Sequence, residues 1–156
     1  MHTRFLVWIK RKSRMLEITN LTKTKIDTKF LQKAAQAAFA VLRAPRSHAK
    51  RGEGGKVKKE EISLVLVGDA KIKEINKKYR GQNKITDVLS FEELNEIFIC
   101  MPQAKRQAKL LKTGLKTELT RLLTHGIVHL KGYDHVKSAR EAERMLKVEE
   151  KILKKL

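Results

Sequence analysis

Three of the five histidines of this 156-residue chain, His125, His129 and His135, fall in one short segment, LTHGIVHLKGYDH, that begins at Leu123. His125 and His129 stand four apart, so on a helix their rings stack on one face and can present two nitrogens to the same ion. A pair spaced this way is equally at home against a core or on a solvated face, and by itself argues little. Gly132 changes the reading, because glycine adopts the left-handed conformation that ends a helix and lets the chain swing back. His135 then returns toward the other two. Neutral imidazoles suit zinc, and three ligands leave a fourth position for solvent, which becomes a nucleophile near neutral pH. A structural zinc would instead close with four ligands, and no cysteine stands in the segment to supply one. The segment therefore predicts one zinc ion per chain at His125, His129 and His135, in an open site able to attack phosphorus or a carbonyl carbon.

The spacing H-x-x-x-H-x-x-G-x-x-H is that of the zinc peptidases written HExxHxxGxxH, in which a turn brings the third ligand to the ion. Gly126 occupies the position of their general-base glutamate, so the base for peptide hydrolysis is missing. Charge favours phosphodiesters: 36 Lys and Arg against 17 Asp and Glu leave a formal net charge of +19. Such a field concentrates polyanions and makes nucleic acid the expected partner, although a lysine-rich solvated face gives the same balance. Phosphodiester cleavage develops negative charge that a nearby cation stabilises. Arg80 and Lys84 are the candidates for that cation, unless they are plain surface residues.

These residues need elements to hold them. A short alternation, LEIT after Met15, reads as an edge strand, and apolar residues from Phe30 to Leu42 recur at helical spacing up to a stop near Pro45. The stretch from Pro45 to Lys59, with Gly52, Gly54 and Gly55 among six basic residues, reads as a basic loop. ISLVLVG from Ile62 has the near-continuous aliphatic character of a strand buried on both faces, and so belongs in the centre of a sheet. Asp69 is placed to cap a helix running through Ile72, Ile75 and Tyr79 to a turn at Arg80-Gly81. Val88 to Phe91 and Ile97 to Cys100 read as two strands joined tightly through Glu92 to Asn95. Helical patterns then cover about Gln103 to Lys112, Lys116 to Lys131 and Ser138 to Leu156. The expected fold is α/β (α+β): one mixed sheet of about four strands packed by about five helices, with the metal site on a C-terminal helix and its following turn.

The length fits one domain, expected over residues 15–156. Residues 1–14 carry Arg4, Lys10, Arg11, Lys12 and Arg14 with no acid, and read either as a basic arm for RNA or as a loosely ordered extension ahead of Met15. The apolar run Phe5 to Ile9 is shorter than the core of a secretory signal, and no stretch approaches the length of a membrane span. A single cysteine, Cys100, allows no intramolecular disulfide and suits a reducing cytoplasm.

The segment HGIVHLKGYDH resembles the hallmark H-G-x-L-H-L-x-G-Y-D-H of the YbeY family of rRNA maturation factors, with Val128 in place of leucine. A second family stretch, Y-R-x-x-D-x-P-T-D-V-L-S-F, is similar to Tyr79-Arg80 and to Thr86-Asp87-Val88-Leu89-Ser90-Phe91. Order and separation of the two agree, as does a helix over Met145 to Leu153, so the resemblance runs from about Met15 to the C-terminus. It implies zinc on His125, His129 and His135, a catalytic arginine at Arg80, and single-strand-specific endoribonuclease activity. It further implies maturation of the 3′ end of 16S rRNA, ribosome quality control, the ribosome or its small subunit as partner, and a cytoplasmic setting. The chain departs from the pattern at Asn83, Ile85 and Glu92, and at Asn95-Glu96 in place of Gly-Asp. These departures bear on the shape of the substrate groove. The competing readings are a ribosome-binding assembly factor whose metal only braces the fold, and a zinc peptidase. The attacking oxygen, from water or from the RNA 2′-hydroxyl, stays open.

Overall fold

The computed structural model describes residues 15–42 and 61–156. The basic segment expected over residues 1–14 and the basic loop expected over residues 45–59 lie outside the described residues. Four strands, β1 (Leu16–Asn20), β2 (Ile62–Val67), β3 (Val88–Phe91) and β4 (Glu96–Cys100), form one sheet in the order β1-β2-β4-β3. β1, β2 and β4 run parallel, and β3 is antiparallel to β4. The aliphatic run lies at the centre and the LEIT strand at an edge, as their side chains require.

Side chains of successive strand residues point to opposite faces, which divides the core in two. Leu64, Leu66, Ile97 and Ile99 face one layer, where α1 (Lys29–Leu42), α3 (Met101–Leu110), α4 (Leu115–Leu130) and α5 (Ala139–Leu153) pack. Val65, Val67 and Cys100 face the other, where α2 (Asp69–Arg80) lays Ile72 and Ile75 against them. Among the described residues, the mixed sheet of four strands with five helices agrees with the sequence reading, with ends shifted by up to three residues. No helix among the described residues is long and apolar enough to cross a membrane.

Asp69 does not cap α2. The cap is Gly68, without a side-chain bond to the helix end, and Asp69 is the first residue of the helix itself. Its carboxylate accepts two bonds from Arg106, at 2.7 and 3.0 Å, and one from the Cys100 thiol at 3.2 Å. The Arg106 bonds hold the Asp69 carboxyl below the usual carboxylate range. Burial, first of all, pushes the Cys100 thiol up to about 11, so the cysteine is a neutral core residue rather than a nucleophile.

The link from β3 to β4 is one short 3₁₀ turn, Glu92–Leu94, closed by Asn95 at φ 50°. Asparagine is one of the few residues besides glycine that enter this left-handed region readily. The departure from glycine at position 95 therefore leaves the turn intact.

Candidate metal centre

α4 carries His125 and His129 because its other face is committed to the core: Leu119, Leu122, Leu123 and Ile127 are fully buried. The helical period then leaves the two histidines half-buried at the margin of that interface. The helix ends at Leu130, and Gly132 adopts φ +82°, the left-handed turn expected of it. Its amide donates to the His129 carbonyl at 2.9 Å. The next turn is closed by Asp134, whose carboxylate accepts from the Val136 amide at 2.9 Å. The cap of α5 is Ser138 rather than Asp134, its side chain accepting from the Glu141 amide at 3.2 Å. What Asp134 does is bend the chain through His135.

The bend brings the three rings together. Their centroids lie 4.6, 5.1 and 5.5 Å apart, and one ligand atom from each falls within 4.8 Å of the others. His125 Nε2 and His129 Nε2 approach to 3.1 Å. A hydrogen bond from a protonated His129 Nε2 accounts for that contact, and so does a cation between two lone pairs. For tetrahedral zinc with bonds of about 2.0–2.1 Å, ligand nitrogens stand roughly 3.4 Å apart; the His125–His129 pair is near that spacing, and three imidazoles are a donor set that zinc takes. Burial, and then the neighbouring His125 and His135, hold His129 below the ordinary imidazole range. The same surroundings favour the neutral ring, the form in which an imidazole ligates a metal.

The histidines border a cleft of about 800 Å³ that Arg80, Lys84, Asp87, Ser90 and Lys137 also line. Arg80, at the end of α2, donates from Nη2 to the Ser90 carbonyl at 3.0 Å and lies over the Phe91 ring at 5.9 Å. Both sequence-predicted cations thus share the cleft with the histidines. Asp87 serves as a turn and strand-end acceptor: it takes bonds from the Val88 amide at 2.8 Å and from Gln107 Nε2 at 3.1 Å.

Three participants escaped sequence reasoning. Glu149 on α5 lies with Oε1 2.7 Å from His125 Nδ1. Glu118, only 2% exposed, is held by Arg121 through bonds of 2.6 and 3.1 Å. Asn76, buried in α2, donates to the Lys84 carbonyl at 2.9 Å and staples the loop after Arg80. Only Asn76 left a trace in the sequence, as a polar residue next to Ile75 on the buried stripe of α2.

Gly126 has a structural cause. A Cβ there would meet Ile97 Cγ2 and Cδ1 at 3.0 Å and Ser90 Oγ at 3.2 Å, so this side of α4 rests directly on the sheet. A glutamate at this position would point into the sheet, away from the histidines. Gly126→Ala is expected to destabilise the protein by about 1 kcal/mol, because overpacking of about 1–3 kcal/mol outweighs a helix-propensity gain of roughly 1 kcal/mol. Urea unfolding of the two proteins checks this, and an unchanged or higher midpoint would contradict the close approach.

Residues 17–156 match the family model described as Endoribonuclease YbeY. The Endoribonuclease YbeY of Aquifex aeolicus is 35% identical over 156 residues, covering 94% of each chain. That of Thermodesulfovibrio yellowstonii is 47% identical over 105 residues, 61% of this chain and 66% of that protein. The solution structure of TM1509 from Thermotoga maritima is similar with a TM-score of 0.57 and 28% identity, covering 90% of this chain and 91% of that one.

Proposed function

The chain belongs to the Endoribonuclease YbeY family, and from that premise we propose that it is a zinc-dependent, single-strand-specific endoribonuclease. In this reading it acts in 16S rRNA 3′-end maturation and ribosome quality control in the cytoplasm, with the ribosome or its small subunit as partner. Residues 15–156 act as one domain, and residues 1–14 are a basic extension.

The observation that carries the reading is the convergence of three imidazoles in a cleft that also holds an anchored guanidinium. His125, His129 and His135 hold the zinc, which when bound supplies Lewis-acid polarisation and a lowered pKa for the attacking oxygen. Arg80 is the catalytic cation. A guanidinium has five donors, so the bond to the Ser90 carbonyl fixes its plane and leaves others for phosphate oxygens. Lys84 and Lys137, on the same cleft, hold the RNA backbone. Tyr79, 59% exposed and set edge-on to Phe91 at 5.4 Å, offers a ring face to an unpaired base, which supports the single-strand preference.

The zinc-loaded protein is expected to cut labelled single-stranded RNA, to leave the same RNA intact when it is annealed to its complement, and to stop when chelator is added. Casein should remain whole. Casein cleavage would instead make the protein a peptidase. Zinc retention without RNA cleavage would make it a binding factor with a bracing metal, and chelator-insensitive cleavage would sever the activity from the three histidines.

A further inference from the structure

α5 is covered only along one narrow stripe, where Met145 and Ile152 are buried, yet from that stripe Glu149 reaches the metal centre. Its Oε1 stands 2.7 Å from His125 Nδ1, with the two side chains 17% and 24% exposed. A carboxylate only accepts, so this contact requires the proton on Nδ1 of His125. The lone pair of that ring is then on Nε2, the nitrogen that faces His129 Nε2 at 3.1 Å. A neutral imidazole in water prefers the opposite arrangement, with the proton on Nε2. Left alone, His125 would present a proton where a ligand needs a lone pair.

We propose that Glu149 is the positioning residue of this centre: it fixes the tautomer and ring orientation of His125, so that α5 completes a site whose ligands lie on α4 and its following turn. The inference rests on the reading of the three histidines as metal ligands. A hydrogen-bonded carboxylate behind a ligand histidine also raises the basicity of the ring toward the ion. Arg121, one α4 turn before His125, feels the charges of both Glu149 and Asp87 while it binds Glu118, and so offsets the concentration of acids behind the site. Glu149 sits 24 residues from His125, too far for any local spacing rule to join them.

Two measurements on the full chain test this. In metal-free protein, long-range nitrogen-proton NMR correlations should show His125 with its proton on Nδ1. Glu149→Ala should move it toward Nε2, whereas Glu149→Gln, whose amide oxygen still accepts, should keep it on Nδ1. In zinc titrations against a chromophoric chelator, Glu149→Ala should bind zinc about 10–100-fold more weakly than wild type, with Glu149→Gln in between. A loss of packing alone would leave the tautomer where it was, and circular dichroism of each variant reports whether the fold persists. Wild-type His125 protonated on Nε2, or zinc affinity of Glu149→Ala within about twofold of wild type, would overturn the assignment, since the expected loss is at least tenfold. A wild-type protein that binds no zinc would instead remove the metal reading itself, while the tautomer measurement would still decide the role of Glu149.

Discussion

Replacing His129 by alanine is expected to abolish stoichiometric zinc and RNA cleavage together. His129 stands between the other two ligands in the chain, and its Nε2 is the atom that comes within 3.1 Å of His125 Nε2. Without it, one imidazole on a helix and one on a turn remain, and two ligands do not close a tetrahedral site. The transition-state stabilisation a divalent ion supplies is several kcal/mol, so the cleavage rate should fall about 10³-fold or more. Metal analysis of the purified variant beside single-turnover assays checks both halves. Thermal unfolding of wild type and variant in chelator should differ little, because only a half-buried ring is lost. Stoichiometric zinc in His129→Ala would sink the ligand assignment whatever the activity shows.

For Arg80→Ala the two readouts should separate, with zinc content unchanged and single-turnover cleavage slowed about 10²–10³-fold, the usual consequence of removing one preorganised donor from a developing oxyanion. Arg80 is no part of the histidine cluster; it bonds the Ser90 carbonyl and lies over the Phe91 ring. Its loss therefore leaves the metal geometry alone. Arg80→Lys should recover only part of the rate, since an ammonium keeps the charge but lacks the planar fork that binds the Ser90 carbonyl and phosphate oxygens at once. An unchanged single-turnover rate in Arg80→Ala would take Arg80 off the catalytic list, and a fall in zinc content would make it a structural support.

The histidine helix and the glycine turn were legible because their chemistry is local. A four-residue repeat puts His125 and His129 on one face wherever the helix packs, and Gly132 ends that helix through its own backbone freedom. The central strand was legible for a related reason: Ile62 to Val67 has no polar side to give to solvent, so it can only lie between neighbours. Asp69 shows where such reasoning stops. Its residue type suits a helix cap, but the helix starts at Asp69 itself, and folding brings Arg106 and Cys100 within bonding distance of its carboxylate.

Gly126 was given a chemical meaning from sequence, as the place where a peptidase keeps its base, and the fold adds a steric one. Ile97 and Ser90 rest against it, so the position faces the sheet rather than the ion.

By itself, then, the amino-acid sequence determined what short-range geometry controls: the strands and helices, two histidines on one helical face, a third after a glycine turn, and a strongly basic chain. Only the tertiary structure decided which distant groups meet that cluster. It set Arg80 of α2 in the cleft beside the histidines, Glu149 of α5 behind His125, and Asn76 under the loop that carries Lys84. The reason is physical. Periodicity constrains residues a few positions apart, whereas which helix lies beside which is settled by how whole faces of the sheet are covered, and that is a property of the packed chain.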